Sequence, residues 1–272
     1  MGISTLKSAL NIMVPILFAA SGGLFPALAG TLNIALEGTL LMGAFSSLTV
    51  FYFTGNVALA VGAAALSAMA LCALQAFAAF KLRANIFICG LAVNLLSSGL
   101  CVIFSDKIFN TKGVVVARNA LSSGLANRYL LLAFFLLAVS CLVIYKTPFG
   151  YRLRSCEKSG EALISLGMNP RTYNAAALLI SGFFCGIGGS FLSLNLGAFT
   201  REMSAGKGWI ALVIIFLGGG KPMGILLAAF IFSLAESVSI HAQGIWDAPS
   251  ELILAFPYVC ALLALIVKRS KW

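Results

Sequence analysis

The chain is a succession of apolar runs, most of them about twenty residues long, joined by short polar connections. The runs lie near residues 9–28, 32–53, 57–80, 84–105, 129–146, 173–196, 208–219, 223–241 and 251–267. A helix needs about 20 residues to cross the hydrocarbon core of a bilayer, and barrel strands would instead alternate apolar and polar residues over about ten positions. With 61% hydrophobic and 10% charged residues, the chain cannot expose its apolar surface to water. We therefore predict an all-α integral membrane protein, with residues 1–272 forming one polytopic helical bundle of eight or nine transmembrane segments.

Two of these runs are irregular. The run at 208–219 is too short to span a membrane alone, and it ends in three glycines followed by Lys221 and Pro222. The first run contains Pro15 and Pro26 and reaches Gly30 soon afterwards. Interrupted helices at membrane depth are tolerated only beside protein or a water-lined cavity. We expect a short or broken helix at 208–219 and a discontinuous helix near the amino terminus.

The distribution of cations predicts the orientation of the bundle. Short loops rich in Lys and Arg stay in the cytoplasm, and alternation of the runs puts eleven of the eighteen on one side. These eleven are Lys81, Arg83, Lys146, Arg152, Arg154, Lys158, Arg171, Lys221, Lys268, Arg269 and Lys271. We expect the carboxyl terminus in the cytoplasm. The net charge of +10 then reflects topology and attraction to membrane lipids, not binding to a nucleic acid polymer.

The longest polar interruption is residues 146–171, on the side expected to be cytoplasmic. Within it, the pattern GEALISLG places Ala162, Leu163 and Leu166 on one side of a short surface helix, and Gly167 suits its C-cap. Two interpretations are open: a plain solvated loop, or a contact for a soluble partner. If that partner is an ATPase, the chain is the permease of a pump-driven transporter; otherwise it is another polytopic carrier.

Several polar side chains lie inside the apolar runs. Glu37 is an acid deep within an early run, where an ionisable group is costly and by default functional. Asn33 lies one turn before it, and Asn94 forms a similar polar patch with Ser97 and Ser98. These residues either line a solute path, or they satisfy broken-helix backbone and hold the spans together.

Other classes of function find little support in the residues. Six of the seven cysteines lie in apolar runs without C-x-x-C spacing, and His241 is the only histidine, so we expect no metal and no cofactor. The metalloprotease, serine-hydrolase and Walker motifs do not occur. We expect a non-enzymatic chain, with any ATP hydrolysis on a separate subunit. A proton-coupled carrier that titrates Glu37 or Glu236 is the alternative.

Several segments together resemble the permease subunits of bacterial ABC importers for nucleosides, within the wider group of branched-chain amino acid and ribose permeases. The resemblance runs from about residue 10 to 267. Its segments are residues 22–47, 82–100, 147–173, 181–195, 199–212, 222–230 and 249–259.

This resemblance implies an inner-membrane subunit that imports a nucleoside, or alternatively a simple sugar or branched-chain amino acid, by alternating access. It implies three partners: a second, related permease, a cytoplasmic ABC ATPase and an extracytoplasmic substrate-binding lipoprotein. The coupling helix of such permeases would correspond to Glu161, Ala162, Leu166 and Gly167. Arg201, Glu202 and Lys207 follow the sixth run on the predicted outer side, where they either dock the lipoprotein or are simply solvated.

Overall fold

The computed structural model describes residues 2–111, 113–117, 124–158 and 160–243, and most of these described residues are helical. The helices are α1 (Gly2–Leu28), α2 (Leu36–Thr54), α3 (Val57–Ala76), α4 (Ile86–Phe109), α5 (Leu125–Lys146), α6 (Pro148–Lys158), α7 (Gly160–Ser165), α8 (Pro170–Leu196), α9 (Lys207–Leu217) and α10 (Pro222–Ala242). A π-helical turn, Phe77–Lys81, continues α3. Two short strands, β1 (Val115–Val116) and β2 (Ala198–Phe199), pair antiparallel.

Seven of these helices are long and apolar enough to cross a membrane, namely α1, α2, α3 with its π-helical turn, α4, α5, α8 and α10. Each corresponds to one predicted run. The short helix predicted at 208–219 is confirmed, because α9 contains only 11 residues. The predicted ninth segment, 251–267, lies outside the described residues. The chain is therefore a multi-pass membrane protein.

Three helices form the centre of the bundle. The apolar windows of α1, α2 and α8 are 78%, 61% and 72% buried, whereas those of α3, α4, α5 and α10 are only 28–33% buried. Apolar side chains on the outer helices, such as Leu66 and Leu95, are correspondingly exposed. The outer helices thus present apolar faces to lipid or to a partner subunit.

Small residues, spaced four apart in the sequence, bring α8 close to its neighbours. A Cβ atom on Gly182 would lie 2.9 Å from the Ala68 carbonyl oxygen of α3, and one on Gly186 would collide with the backbone of Ala64. The next small residue, Ser190, shares a hydrogen bond of 2.8 Å with the Tyr129 hydroxyl of α5. Close backbone approach is what small residues provide in membrane helices.

The break near the amino terminus lies later than the proline positions suggested. Helix α1 continues through Pro15 and Pro26 to Leu28, and the irregular backbone occupies residues 29–35. Because α1 is buried against α8, α9 and α10, tertiary packing outweighs the local cost of the two prolines. The discontinuity therefore separates α1 from α2.

The helix directions define two ends of the bundle. We call the end formed by α6, α7 and the start of α8 the coupling end, and the end formed by β1 and β2 the far end. Helix α1 finishes at the coupling end, because a Cβ atom on Gly30 would lie 3.3 Å from the Glu157 Cα of α6. Its beginning lies beside the last turns of α10, where the Ser237 hydroxyl donates to the Thr5 carbonyl at 2.8 Å.

Candidate functional site

Asn33 holds the irregular segment 29–35 against α8. Its side chain is buried, and its amide nitrogen donates to the Ser181 hydroxyl at 2.9 Å. Its amide oxygen accepts from the backbone N–H of Ala35 at 3.0 Å. Both polar ends of Asn33 are thus used inside the protein, which supports the structural interpretation of this residue over a solute contact.

Asn94 fixes the same segment from the side of α4. Its oxygen accepts from the Gly38 N–H at 2.8 Å, and its nitrogen donates to the Ile34 carbonyl at 2.9 Å. The Ser97 hydroxyl donates to the carbonyl of Gly38. These bonds satisfy backbone groups that the break would leave unpaired at membrane depth.

Glu37 caps the amino terminus of α9. Its two carboxylate oxygens accept from the backbone N–H groups of Gly206, at 2.9 Å, and Gly208, at 2.7 Å. The first N–H groups of a helix have no partner within it and carry the positive end of the helix dipole. A carboxylate on α2 therefore caps a short helix whose N-cap residue, Gly206, lies 169 residues further along the chain.

Glycine is needed on both sides of this cap. Gly206 has φ +78°, a left-handed conformation. A Cβ atom on Gly208 would lie 2.8 Å from Glu37 Oε2 and would also collide with the Glu37 backbone. The sequence signal for this contact is the pair of glycines around Lys207, which the sequence reasoning left unassigned.

A second pair of charged groups lies at the start of α9. The Lys207 ammonium is 4.0 Å from Glu236 Oε1 of α10, and the two side chains are only 15% and 19% exposed. A cation at a helix amino terminus is disfavoured by the dipole, and Glu37 and Glu236 both offset that cost. Lys207 therefore lies largely inside the bundle, unlike the exposed side chains of Arg201 and Glu202.

A polar cavity of about 290 Å³ lies next to the Glu37 cap. It brings together two predicted groups of site residues, since Glu37 and Asn94 line it with Arg201 and Glu202. Asn33 and Lys207 do not line this cavity. The remaining lining residues are Gly38, Leu41, Ser98, Ser204, Ala205 and Gly206. Amide, hydroxyl, carboxylate and guanidinium groups on this wall offer donors and acceptors to a polar solute.

The coupling end carries an exposed apolar tip. Leu163 of α7 is 4% exposed, whereas Ile164 and Leu166 are 63% and 71% exposed. The prediction that Leu163 and Leu166 share one side of the helix is therefore wrong: α7 ends at Ser165, and Leu166 lies in the turn that follows. Ile164, which the sequence reasoning did not select, belongs to the exposed tip instead.

The predicted C-cap at Gly167 is confirmed. Its φ of +73° is left-handed, and its N–H donates to the Ile164 carbonyl at 2.9 Å. Glu161 is exposed on α7, and Ala162 lies within the same helix. The four predicted coupling residues thus belong to one short helix and its capping turn.

Helix α6 ties this tip to the bundle. The Arg154 guanidinium lies over the rings of Tyr145, at 5.3 Å, and Tyr151, at 5.0 Å. Arg152 donates to the Tyr173 hydroxyl of α8 at 3.2 Å. The Cys156 thiol donates to the Arg152 carbonyl at 3.3 Å, and partial burial raises its pKa. Helix α6 thus contacts both α5, through Tyr145, and α8, through Tyr173.

The described residues also limit other chemistry. Among them, no group of three His, Cys, Asp or Glu side chains is arranged to hold a metal ion. His241 lies near the end of α10, with its Nδ1 atom 2.8 Å from the Ser237 carbonyl.

Long apolar helices packed into one bundle define the chain as a multi-pass membrane protein. The family described as "Branched-chain amino acid transport system / permease component" matches residues 5–265. The chain belongs to this family, and the family resemblance noted in the sequence is confirmed.

Two relatives match over most of their length. The guanosine ABC transporter permease protein NupQ of Bacillus subtilis strain 168 is 32% identical, over 92% of this chain and 87% of the relative. The nucleoside ABC transporter permease protein NupC of Lactococcus lactis subsp. cremoris strain MG1363 is 30% identical, over 94% and 89%.

One solved structure supports the fold. An ABC transporter in an inward-facing conformation, assigned to the metal-chelate type, aligns with a TM-score of 0.54 and 14% identity. The alignment covers 96% of this chain and 85% of the solved one. At this identity the similarity concerns the fold alone, which is that of an ABC transporter permease.

Proposed function

We propose that the chain is the permease subunit of an ATP-driven ABC importer that moves nucleosides by alternating access. The observation that carries this proposal is the similarity to NupQ and NupC, at 32% and 30% identity over 92% and 94% of the chain. The chain itself is the non-catalytic transport subunit, and a separate ABC ATPase supplies the energy.

The polar cavity is a suitable part of the solute path. A nucleoside is uncharged and carries several hydroxyl groups, so its path needs hydrogen-bonding partners and no excess of fixed charge. Asn94 and Ser98 provide neutral partners, while Arg201 and Glu202 carry opposite charges. The cavity also lies beside the first turn of α2 and the residues that precede α9, and transporters commonly build solute sites where helices are interrupted.

The ATPase would act on the solute path by binding the exposed tip and moving it. Glu161, Ile164 and Leu166 form the surface that an ATPase groove can grip. Helix α6 carries the movement to Gly30, where the break between α1 and α2 begins. From there Asn33 and Glu37 lead to α8 and α9. A rigid-body shift at the coupling end would thus change the geometry beside the cavity.

This mechanism requires one orientation of the chain in the membrane and three kinds of partner protein. In the inner membrane, the coupling end would face the cytoplasm and the far end would face the extracytoplasmic side. Helix α10 ends at the far end, so one further crossing by residues 251–267 would return the carboxyl terminus to the cytoplasm. Arg201 and Glu202 would help to dock a substrate-binding lipoprotein. Lys207, which is largely buried, would support this surface from inside the bundle. A second, related permease would cover part of the outer apolar faces.

The test is transport by the complete complex. The chain would be purified with its co-expressed partner subunits and reconstituted into proteoliposomes. We expect guanosine to raise ATP turnover in the presence of the binding lipoprotein, and uptake to require ATP. Stimulation of ATP turnover only by a branched-chain amino acid or a simple sugar would refute nucleosides as the substrate. Uptake driven by a proton gradient without the ATPase would refute the ATP-driven mechanism.

A further inference from the structure

A basic pocket of about 590 Å³ opens at the coupling end, away from the polar cavity. It lies between the end of α3 with its π-helical turn and the first two turns of α8. Its lining residues are Ala73, Ala76, Phe77, Phe80, Lys81, Arg83, Asn169, Arg171, Thr172, Ala175 and Leu179. Neither the helix tip nor the solute path uses these residues.

One half of this pocket is cationic. Lys81, Arg83 and Arg171 line it, and all three side chains are exposed. Among its described lining residues none is acidic, and within the described chain no ion pair joins these three cations to a carboxylate. Three like charges gathered in one pocket repel one another, so a bound anion would stabilise them.

The backbone fixes where these cations lie. Arg83 has φ +58°, a left-handed conformation that is uncommon for a residue with a side chain. The Asn169 side chain caps α8 by accepting from the Arg171 N–H at 3.0 Å. The ammonium of Lys81 lies 5.8 Å from the centre of the Phe77 ring. The cationic half is thus held by local structure on both sides of the pocket.

The other half of the pocket is apolar. Phe77 is 50% exposed, and Phe80, Ala175 and Leu179 are partly exposed. This wall belongs to the end of α3 with its π-helical turn and to the beginning of α8. Because both are ends of membrane-spanning helices, the wall lies where the acyl region of a bilayer meets the headgroups. A free phosphate ion would satisfy the cations and leave the apolar wall in water. A molecule with a phosphate group and attached acyl chains satisfies both halves.

We propose that this pocket binds an anionic phospholipid, with its phosphate among Lys81, Arg83 and Arg171 and its first acyl carbons against Phe77 and Leu179. Basic pockets between membrane helices are suited to anionic lipid headgroups. The bound lipid ties α3 to the start of α8, close to the turn that follows the exposed tip. It thereby stabilises the coupling end of the transporter.

The test measures lipid binding by native mass spectrometry. The full-length chain, purified in detergent with its partner subunits and stripped of lipid, is titrated with phosphatidylglycerol and with phosphatidylcholine of the same acyl chains. We expect preferential retention of phosphatidylglycerol. The double variant R83Q/R171Q should weaken that binding about twenty-fivefold, at about fivefold per cation removed.

The matched control is K146Q/K221Q, which removes two exposed cations at the same end but outside the pocket. It should change phosphatidylglycerol binding by less than about twofold. If R83Q/R171Q does not fold, the single variants R83Q and R171Q provide the comparison, because both side chains are exposed.

Three results would overturn the proposal. Equal binding of the two lipids, or equal losses in the pocket and control variants, would show only general attraction to the surface. Competition by soluble glycerol phosphate as strong as that by the lipid would identify a free phosphate ligand. Loss of ATPase copurification in R83Q/R171Q, with lipid binding unchanged, would make the pocket a protein interface.

Discussion

Replacing Glu37 with Gln tests the cap that joins α2 to α9. Gln keeps nearly the same size and shape, but it has a single acceptor oxygen where the carboxylate has two. One of the N–H groups of Gly206 and Gly208 would then lose its partner and face an NH₂ group. The substitution therefore removes the charge and one of the two hydrogen bonds while leaving the packing intact.

The bond lengths allow the cost to be estimated. The two bonds of 2.9 and 2.7 Å are in the range of charge-assisted hydrogen bonds. A hydrogen bond to a charged group contributes about 1.5–3 kcal/mol, and a carboxylate at a partly buried helix amino terminus contributes up to about 2 kcal/mol. Because Gln retains one bond, we expect Glu37→Gln to lower the free energy of unfolding by about 2–4 kcal/mol. Glu37→Ala should cost more, since it leaves both N–H groups unpaired.

The assay compares thermal unfolding in detergent with nucleoside uptake in proteoliposomes. Glu157→Gln is the control for stability, because Glu157 is exposed and its carboxylate makes no hydrogen bond to the described residues. We expect Glu37→Gln to lower the unfolding midpoint by several degrees and to alter uptake, while the ATPase still copurifies. A midpoint equal to that of Glu157→Gln would refute the capping role. Uptake that is unchanged at every pH tested would exclude a titrating role for Glu37.

Three further substitutions test other parts of the structure. Ala162→Arg should abolish uptake and ATPase copurification without affecting membrane insertion, because it overfills the proposed ATPase contact; full copurification with normal uptake would contradict this. Gly186→Ala should lower the free energy of unfolding by about 1–3 kcal/mol, because its Cβ collides with α3. Gly62→Ala has open space within α3 and should leave the free energy of unfolding unchanged or raise it by up to about 1 kcal/mol; equal losses in the two variants would contradict the packing argument. Cys156 should react slowly with a charged maleimide near pH 7 and faster as pH rises, because its raised pKa leaves little thiolate; a rate equal to that of an exposed cysteine introduced at Ser165 would contradict this.

The span pattern could be predicted because it depends on composition alone. Runs of about twenty apolar residues specify membrane helices whatever their neighbours, and the glycines with Pro222 marked the short α9. The exact position of the first break could not be predicted. Proline disfavours helix interiors, yet α1 continues through Pro15 and Pro26 because the surrounding helices bury it.

The hydrogen-bond partners of the polar residues could not be predicted from the sequence, for a different reason. The sequence identified Asn33, Glu37 and Asn94 as costly residues in a membrane, but their partners lie far away in the chain. Glu37 meets Gly206, and Asn33 meets Ser181, 148 residues later. Such pairings depend on the packing of four helices, and the periodicity of one segment carries no information about them.

The mechanism proposed above requires that a movement at the coupling end reach the cavity, and the same long-range contacts offer a route for it. The segment 29–35 begins beside α6 at Gly30 and leads through Asn33 to Glu37, whose carboxylate is bonded directly to the backbone of α9. A helix of 11 residues is too short to be anchored at both membrane surfaces, so its position depends on its neighbours. When the start of α2 moves, the capped end of α9 must follow or the two hydrogen bonds must break. Since breaking them costs several kcal/mol, α9 should move with α2, and the cavity wall shared by Glu37 and Gly206 should move as one unit.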